Sequence, residues 1–218
     1  MTFRKPEWIP LIFIICSTVL LGGLGMWQLE RLVWKNTLIA GIEKAQAEPV
    51  LHTLTDEPYR RVELSGQWRL DKTIHVVGKP QFVEGNGYFL LTPLVLPDGK
   101  TILVNRGWAP REWKENAAKK ATVRGIVRPL REKRLFSPAN FPDKNIWFYE
   151  DINAMAQASG LALEPAVIEA IGERKSDTYP YPSDGKINLR NDHFGYAITW
   201  FSLAFIGIIM FGAYHRKT

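Results

Sequence analysis

The sequence predicts a membrane α+β protein in which two transmembrane helices flank a mainly antiparallel β domain, a curled sheet or partly closed barrel with one or two helices of its own. Three observations predict it. Two uncharged apolar runs, 9–29 and 194–214, lie near the two ends. Between them the hydrophobic pattern changes to period two and is punctuated by turn residues. No crossover helices separate the strands, which favours antiparallel neighbours.

Each run is about 21 residues long, or roughly 31 Å as a helix, against a hydrocarbon core of about 30 Å. Neither contains Asp, Glu, Lys or Arg, whereas a soluble helix of that length normally carries a polar face. The first run is longer than the apolar core of a signal peptide. It closes on Gly25, Met26, Trp27 and Gln28 with no small-residue cleavage site, so it reads as an uncleaved anchor. Little sequence precedes it, which leaves no room for an organelle transit peptide and favours a bacterial chain or a trimmed mature one.

Orientation follows from the flanks. Arg4 and Lys5 precede the first span, and Arg216 and Lys217 follow the second. Two spans put both ends on one side, and basic ends prefer the cytoplasm. Arg31 and Lys35, on the other flank of the first span, oppose this bias. The expected topology is a multi-pass protein of the bacterial inner membrane, with both termini cytoplasmic and the domain 30–193 in the periplasm.

Beyond the first span, 30–46 continues as a helix with Leu32, Leu38, Ile39 and Ile42 on its apolar face. A loop follows over 49–58. Val62, Leu64 and Gly66 then alternate with Arg61, Glu63, Ser65 and Gln67 in a first strand, and 73–77 forms a second. Strands 88–94 and 101–108 flank Leu96, Pro97, Asp98, Gly99 and Lys100, a hairpin signal containing Asp-Gly. Further strands are expected at 123–127, 147–149 and 167–171. A helix over 151–159 has Asp151 to cap it and Gly160 to end it. The stretch 174–185 leads irregularly into the second span.

The net charge is +6, and the segment 111–134 alone holds nine basic residues against three acidic ones. Nucleic acid is not an expected partner outside the cytoplasm. The segment reads either as a solvated basic rim or as a surface for anionic headgroups, an acidic protein or a carboxylate-bearing ligand. The one cysteine, Cys16, falls inside the first span and reads as a small apolar filler; it leaves no intrachain disulfide and no thiolate metal site in the β domain.

No metalloprotease, nucleophile-elbow, P-loop or dinucleotide motif is present, so the chain is not expected to be an enzyme. Gly22, Gly23 and Gly25, with Thr18 and Gly22 on one face, read as helix-packing positions. Of the four histidines, His52 falls in a loop, His75 in a strand and His215 at the cytoplasmic end. His193 stands at the outer mouth of the second span. On a helix His193, Tyr196, Ala197, Trp200 and Ala204 lie near one face.

Two readings of that stripe stand. It is an interfacial histidine with members of an aromatic belt. Or it is a platform for a flat apolar macrocycle, with His193 as axial ligand to its iron. A helix N-terminus disfavours the protonated imidazole, and a metal needs the neutral form; Asp192 works against this. Trp27 and Gln28 end the first span at the surface where His193 begins the second. The two ends can therefore meet there, at the membrane–periplasm boundary under the β domain.

These residues resemble the Surfeit-locus protein one family. The resemblance rests on five motifs in order: Leu24, Gly25, Met26, Trp27, Gln28 and Leu29 with Glu30, Arg31 and Lys35; Tyr59, Arg60, Arg61 and Val62 with Gly66; Gly85, Asn86, Gly87 and Tyr88 leading to Thr92, Pro93 and Leu94; Val104, Asn105, Arg106, Gly107, Trp108, Ala109 and Pro110; and Asn191, Asp192, His193, Phe194 and Gly195 running on through Trp200 and Phe201. Phe194 and Asp192 stand where the family usually has leucine and asparagine.

The resemblance implies an assembly factor for haem–copper cytochrome oxidases. It implies a chaperone that binds haem a transiently and aids its insertion into oxidase subunit one, alongside other assembly factors and membrane lipid. His193 maps to the family's proposed iron ligand. Tyr196, Trp200 and Trp27 are the expected neighbours of the haem. Arg106 and Trp108 are candidates for a propionate or a partner contact, or else they lock the hairpin to its neighbours. The alternative is a membrane-anchored interaction protein that stabilises an oxidase assembly intermediate without holding haem.

Overall fold

A computed structural model describes residues 8–80, 84–115, 118–175, 178–186 and 189–216. Arg4, Lys5 and Lys217 of the expected flanks lie outside these. The chain divides into two compact units, Met1–Ile42 with Asn188–Thr218, and Glu43–Ile187.

The first unit is a pair of long helices. The first, α1, runs unbroken over Trp8–Ala47 and the last, α3, over His193–His215. Both are long and apolar enough to cross a membrane. The absence of charge from 9–29 and 194–214 lets both helices show apolar side chains all round, such as Phe13, Val19, Phe205 and Met210. The extension of α1 beyond residue 29 keeps Leu32, Leu38 and Ile39 half-buried and Ile42 buried, the face expected from the 3.6-residue period.

The two helices touch where a side chain is missing. A Cβ on Gly25 would sit 2.6 Å from the Phe201 ring, and Gly207 lies against Ile14. Close approach through a glycine is a common device for apolar helices. Of the glycines expected to serve this purpose, Gly25 does; Gly22 and Gly23 meet nothing within 4 Å. Gly25 and Gln28, three residues apart on one face, are the buried positions of that turn.

The second unit is a β-barrel. Its seven strands are β1 (Arg61–Trp68), β2 (Ile74–Val77), β3 (Gly87–Val95), β4 (Thr101–Pro110), β5 (Lys120–Arg128), β6 (Ile146–Trp147) and β7 (Val167–Ala170), with the short helix α2 (Ile152–Ser159) before β7. The order is β1-β5-β7-β4-β3, and β3 pairs again with β1 through Gln67 with Val95 and Trp68 with Leu94, which closes a five-stranded ring. The first half of β3 pairs with β2 instead, and β6 adds to β2.

Two of these pairings are parallel, β4 with β7 and β2 with β6. The sheet is therefore mixed, though most of its pairings are antiparallel as expected, and its five-stranded ring is closed rather than partly so. The physical reason lies in the connection to β7. The chain leaves β4, passes through β5, β6 and α2, and returns along β4 in the same direction, a crossover route that a parallel pair requires. The core agrees. Ile102, Val104 and Ile168 point into the ring with Val62, Leu64, Leu94 and Val127. Leu103 and Val167 point the other way, under α2, with Leu91, Trp147 and Met155. Strands β4 and β7 are covered on both faces, as parallel strands usually are.

The local signals act as their chemistry dictates. Asp151 Oδ1 accepts from the Ala154 amide at 3.0 Å, and Gly160 ends α2 in the left-handed region at φ 69°. Gly99 has φ 87° in the β3–β4 turn, where the Lys100 amide donates to Asp98 Oδ1.

Candidate functional site

The residues expected to form a site fall into both units. His193, Tyr196, Trp200 and Trp27 belong to the helical unit, and Arg106 and Trp108 to the barrel.

In the helical unit His193 is the first residue of α3. Its Nδ1 lies 2.7 Å from Oε1 of Gln28 on α1. An amide oxygen only accepts, so Nδ1 carries the proton and donates it. In the neutral ring that choice leaves the other nitrogen, Nε2, with the lone pair. Nε2 has no hydrogen-bond partner among the described residues. Gln28 is buried, at 8% exposure, so its amide is well placed to hold the ring. An imidazole oriented through one nitrogen, with the other free, is the arrangement by which proteins present histidine to a metal.

A second bond reaches α1 from the residue before the N-cap of α3: Asn191 Nδ2 donates to Asn36 Oδ1 at 2.8 Å. Asp192 does not cap α3 through its side chain; its carboxylate pairs with Arg190. The negative charge beside His193 is thus met by a neighbouring cation.

The stripe below His193 is unevenly open. Ala197 and Ala204 are buried, at 2% and 8% exposure, and Trp200 is half-buried. Tyr196 and Trp27 are about half exposed, at 53% and 50%. Trp200 Nε1 is buried without a hydrogen-bond partner, which is uncommon for an indole donor. It stands seven residues from His193, two turns along the same side of α3. Near Trp27, Met26, Leu29, Glu30, Val33 and Trp34 line a mostly apolar hollow on α1, and the Arg31 guanidinium lies 4.2 Å from the centre of the Trp34 ring.

In the barrel, Asn105, Arg106, Gly107 and Trp108 form one device. Between the pairs Phe89 with Trp108 and Leu91 with Asn105 the register shifts, so β4 carries one extra residue there. Gly107 occupies the bulge at φ 117°, and a Cβ on it would lie 2.0 Å from the Tyr181 carbonyl oxygen. Only glycine fits such a position at low cost. Trp108 is 1% exposed, donates from Nε1 to the Gly78 carbonyl at 2.9 Å and exchanges both backbone bonds with Tyr181. Arg106 pairs with Glu115 and stacks over Trp68. Both side chains are thus engaged within the barrel.

Asn105 is fully buried and donates to both carboxylate oxygens of Glu169. Glu169 also accepts from Arg128, which makes two bonds to the buried carboxylate of Glu150 at 2.8 and 2.5 Å. This network takes the most buried cation out of the basic segment 111–134. Arg124 is taken by Glu63, Arg111 lies over Tyr88 and Arg131 over Phe89. The segment is therefore not one continuous basic face. His75, in β2, stacks on Tyr88 with ring centres 5.1 Å apart, and burial lowers its pKa below the ordinary value.

A groove of about 1160 Å³ on the barrel is lined by His52, Arg61, Glu63, Arg124, Glu173 and Arg174 among others. Two of its cations are held by Glu63 and Asp184. No group of three or more His, Cys, Asp or Glu side chains among the described residues is placed to hold a metal ion.

The sequence placed Gln28 at the meeting point of the spans but not among the site residues. The signal that marks it is an amide at the closing turn of an uncharged run, on the same face as Gly25. In an apolar helix such a group is retained when it has a partner.

Comparison with known proteins gives a consistent result. The profile described as the SURF1 family matches residues 15–205. A SURF1-like protein of Rickettsia conorii is 32% identical over 95% of this chain and 90% of its own length. A SURF1-like protein of Rickettsia felis is 32% identical over 95% of this chain and 96% of its own. Surfeit locus protein 1 of Rattus norvegicus is 31% identical over 90% of this chain and 72% of its own.

Proposed function

This chain belongs to the SURF1 family, whose members are assembly factors implying a role in cytochrome oxidase assembly, and on that premise we propose that it holds haem a through His193 and aids its insertion into the catalytic subunit of a haem–copper oxidase. The observation that carries this reading is the Gln28–His193 bond, which orients the ring and, in the neutral imidazole, leaves Nε2 as a lone-pair donor.

Haem a, when bound, supplies an iron for that nitrogen and a long apolar tail for the lipid. The chain's own residues supply the rest. Gln28 holds the ring's tautomer and angle. Tyr196 and Trp27 offer exposed aromatic surface, and Trp200 Nε1 offers an unspent donor. A single protein ligand suits a carrier, since release breaks only one bond to iron.

In this reading α1 and α3 span the inner membrane of a bacterium, and Arg216 past the end of α3 marks the cytoplasmic side. The barrel then works in the periplasm, where oxidase subunit one and other assembly factors present their outer surfaces.

A second reading has one observation in its favour. Ala197 and Ala204, the flat part of the stripe, are buried within this chain, so less of that face is free for a macrocycle. It makes the protein an interaction factor that stabilises an oxidase intermediate without holding haem.

The test is to express the full chain in a host that makes haem A and purify it in mild detergent. Reduced-minus-oxidised spectra are then compared for the parent and His193→Ala. A haem a spectrum that is lost or shifted in the variant is the expected result. Haem bound equally by both moves the ligand elsewhere, and a folded parent without haem sinks the carrier reading.

A further inference from the structure

The connection 130–141 of the barrel carries two large apolar side chains that nothing covers. Leu135 is 89% exposed and Phe136 92%. They sit side by side at a turn closed by the Ser137 amide on the Arg134 carbonyl and by the Arg134 amide on Ser137 Oγ.

The turn stands on a fixed base. On one side Leu130 packs into the core beneath α2, the Arg131 amide donates to Glu150 Oε2, and the Glu150 amide donates back to the Arg131 carbonyl. On the other side Asn140 accepts from the Phe148 amide at 2.8 Å and donates to the Tyr149 carbonyl. Phe141 and Ile146 exchange backbone bonds. The two side chains are thus held outward by a braced loop. Lone exposed hydrophobes are ordinary, but an adjacent pair at a braced tip marks a contact surface.

The neighbours say which kind of surface. Arg131, Lys133 and Arg134 precede the tip beside Glu132, and Asp143 and Lys144 follow it, four bases against two acids. An apolar tip with a basic collar is complementary to a bilayer whose lipids are anionic: the tip enters the acyl boundary and the cations meet the headgroups. Chain connectivity supplies the second argument. The barrel is joined at both ends to helices long and apolar enough to span a membrane. A surface tethered in this way meets lipid at high effective concentration, so a weak contact suffices.

We infer that the Leu135–Phe136 tip inserts into the outer leaflet of the membrane that α1 and α3 cross, docking the barrel on an anionic lipid surface at a point far in sequence from either helix. The inference rests on the reading of α1 and α3 as membrane spans, and not on haem binding.

The experiment uses the full chain with Cys16→Ser, in which Leu135→Cys carries an environment-sensitive fluorophore. The chain is reconstituted in lipid nanodiscs of phosphatidylethanolamine and phosphatidylglycerol. A matched chain labelled through Asp98→Cys, in the exposed β3–β4 turn, gives the water-exposed reference. The tip label is expected to emit to the blue of the reference, lose most of its emission to nitroxide-bearing lipids and resist aqueous iodide. Adding Phe136→Asp to the tip-labelled chain is expected to abolish all three differences.

A tip label as wet as the reference in an incorporated chain overturns the inference and leaves the spans standing. The same wet label, in a chain whose Phe136→Asp form fails to support oxidase assembly in cells, also overturns it and assigns the tip to a protein partner. A chain that does not incorporate into nanodiscs at all overturns the spans and this inference together.

Discussion

The Arg128 network of the barrel and the Gln28–His193 pair of the helices treat their polar groups in opposite ways. In the barrel, Arg128 meets Glu150 and Glu169, and Glu169 meets Asn105, so that three strands and the approach to α2 share one saturated network. In the helix pair one short bond between Gln28 and His193 leaves the second ring nitrogen unspent, and Trp200 Nε1 has no partner. A saturated network can only hold; an unsaturated one can also receive. The sequence motifs divide along the same line, with Asn105, Gly107 and Trp108 building the barrel and Gln28 and His193 joining the two helices.

The contrast is broken most severely at Glu150. Replacing it with alanine leaves Arg128 largely buried with half its carboxylates gone. The cost is expected to be about 3–5 kcal/mol, since removing one member of a buried ion pair strands the other. Chemical denaturation of the full chain, followed through barrel tryptophan fluorescence, checks it.

Gly107→Ala comes next. Its Cβ meets the Tyr181 carbonyl, and its φ of 117° lies where side chains rarely go. A loss of about 1–3 kcal/mol is expected from the strain, read as a lowered denaturation midpoint with no change at His193.

Gln28→Leu tests the other half. It keeps an apolar helix but removes the acceptor that orients His193. On the proposed carrier reading, haem affinity is expected to fall by about 10–100-fold, the usual effect of removing a histidine's outer partner. Barrel stability should stay at the parental value. A haem titration beside the same denaturation curve separates the two.

The smallest effect concerns pH. Burial holds the folded pKa of His75 below its ordinary value, so the unfolded chain binds the proton more readily. Stability is full above the ordinary value of about 6.5 and declines as pH falls through the lowered one. His75→Gln should flatten that part of the profile.

Much of this was legible in the sequence because it is written in short-range patterns. Asp151 and Gly160 bracket α2, Asp98 and Gly99 turn the hairpin, and Val62 and Leu64 set the inward face of β1. What was not legible depends on contacts between residues far apart. The parallel return of β7 along β4 follows from packing on both faces of those strands. The double role of β3 depends on its pairing with β2 and then β1. At the candidate site, His193 was visible as a titratable group opening an apolar run, whereas Gln28 is defined by a partner 165 positions away. Arg106 and Trp108 looked equally suited to binding or to support, and only the Glu115, Trp68 and Gly78 contacts give them places.

The position of β7 as the last strand has a consequence for synthesis. The ring stays open until Val167–Ala170 emerges, because β7 alone joins β5 to β4. Until then two strand edges stand unpaired, which is the state most prone to wrong association. Chains grow at about 5–20 residues per second, so the roughly two dozen residues from β7 to the start of α3 pass in about one to five seconds. Ring closure and delivery of the second apolar helix are therefore events of nearly the same moment, and a nascent chain halted before residue 167 presents an open-edged sheet already attached to its first long helix.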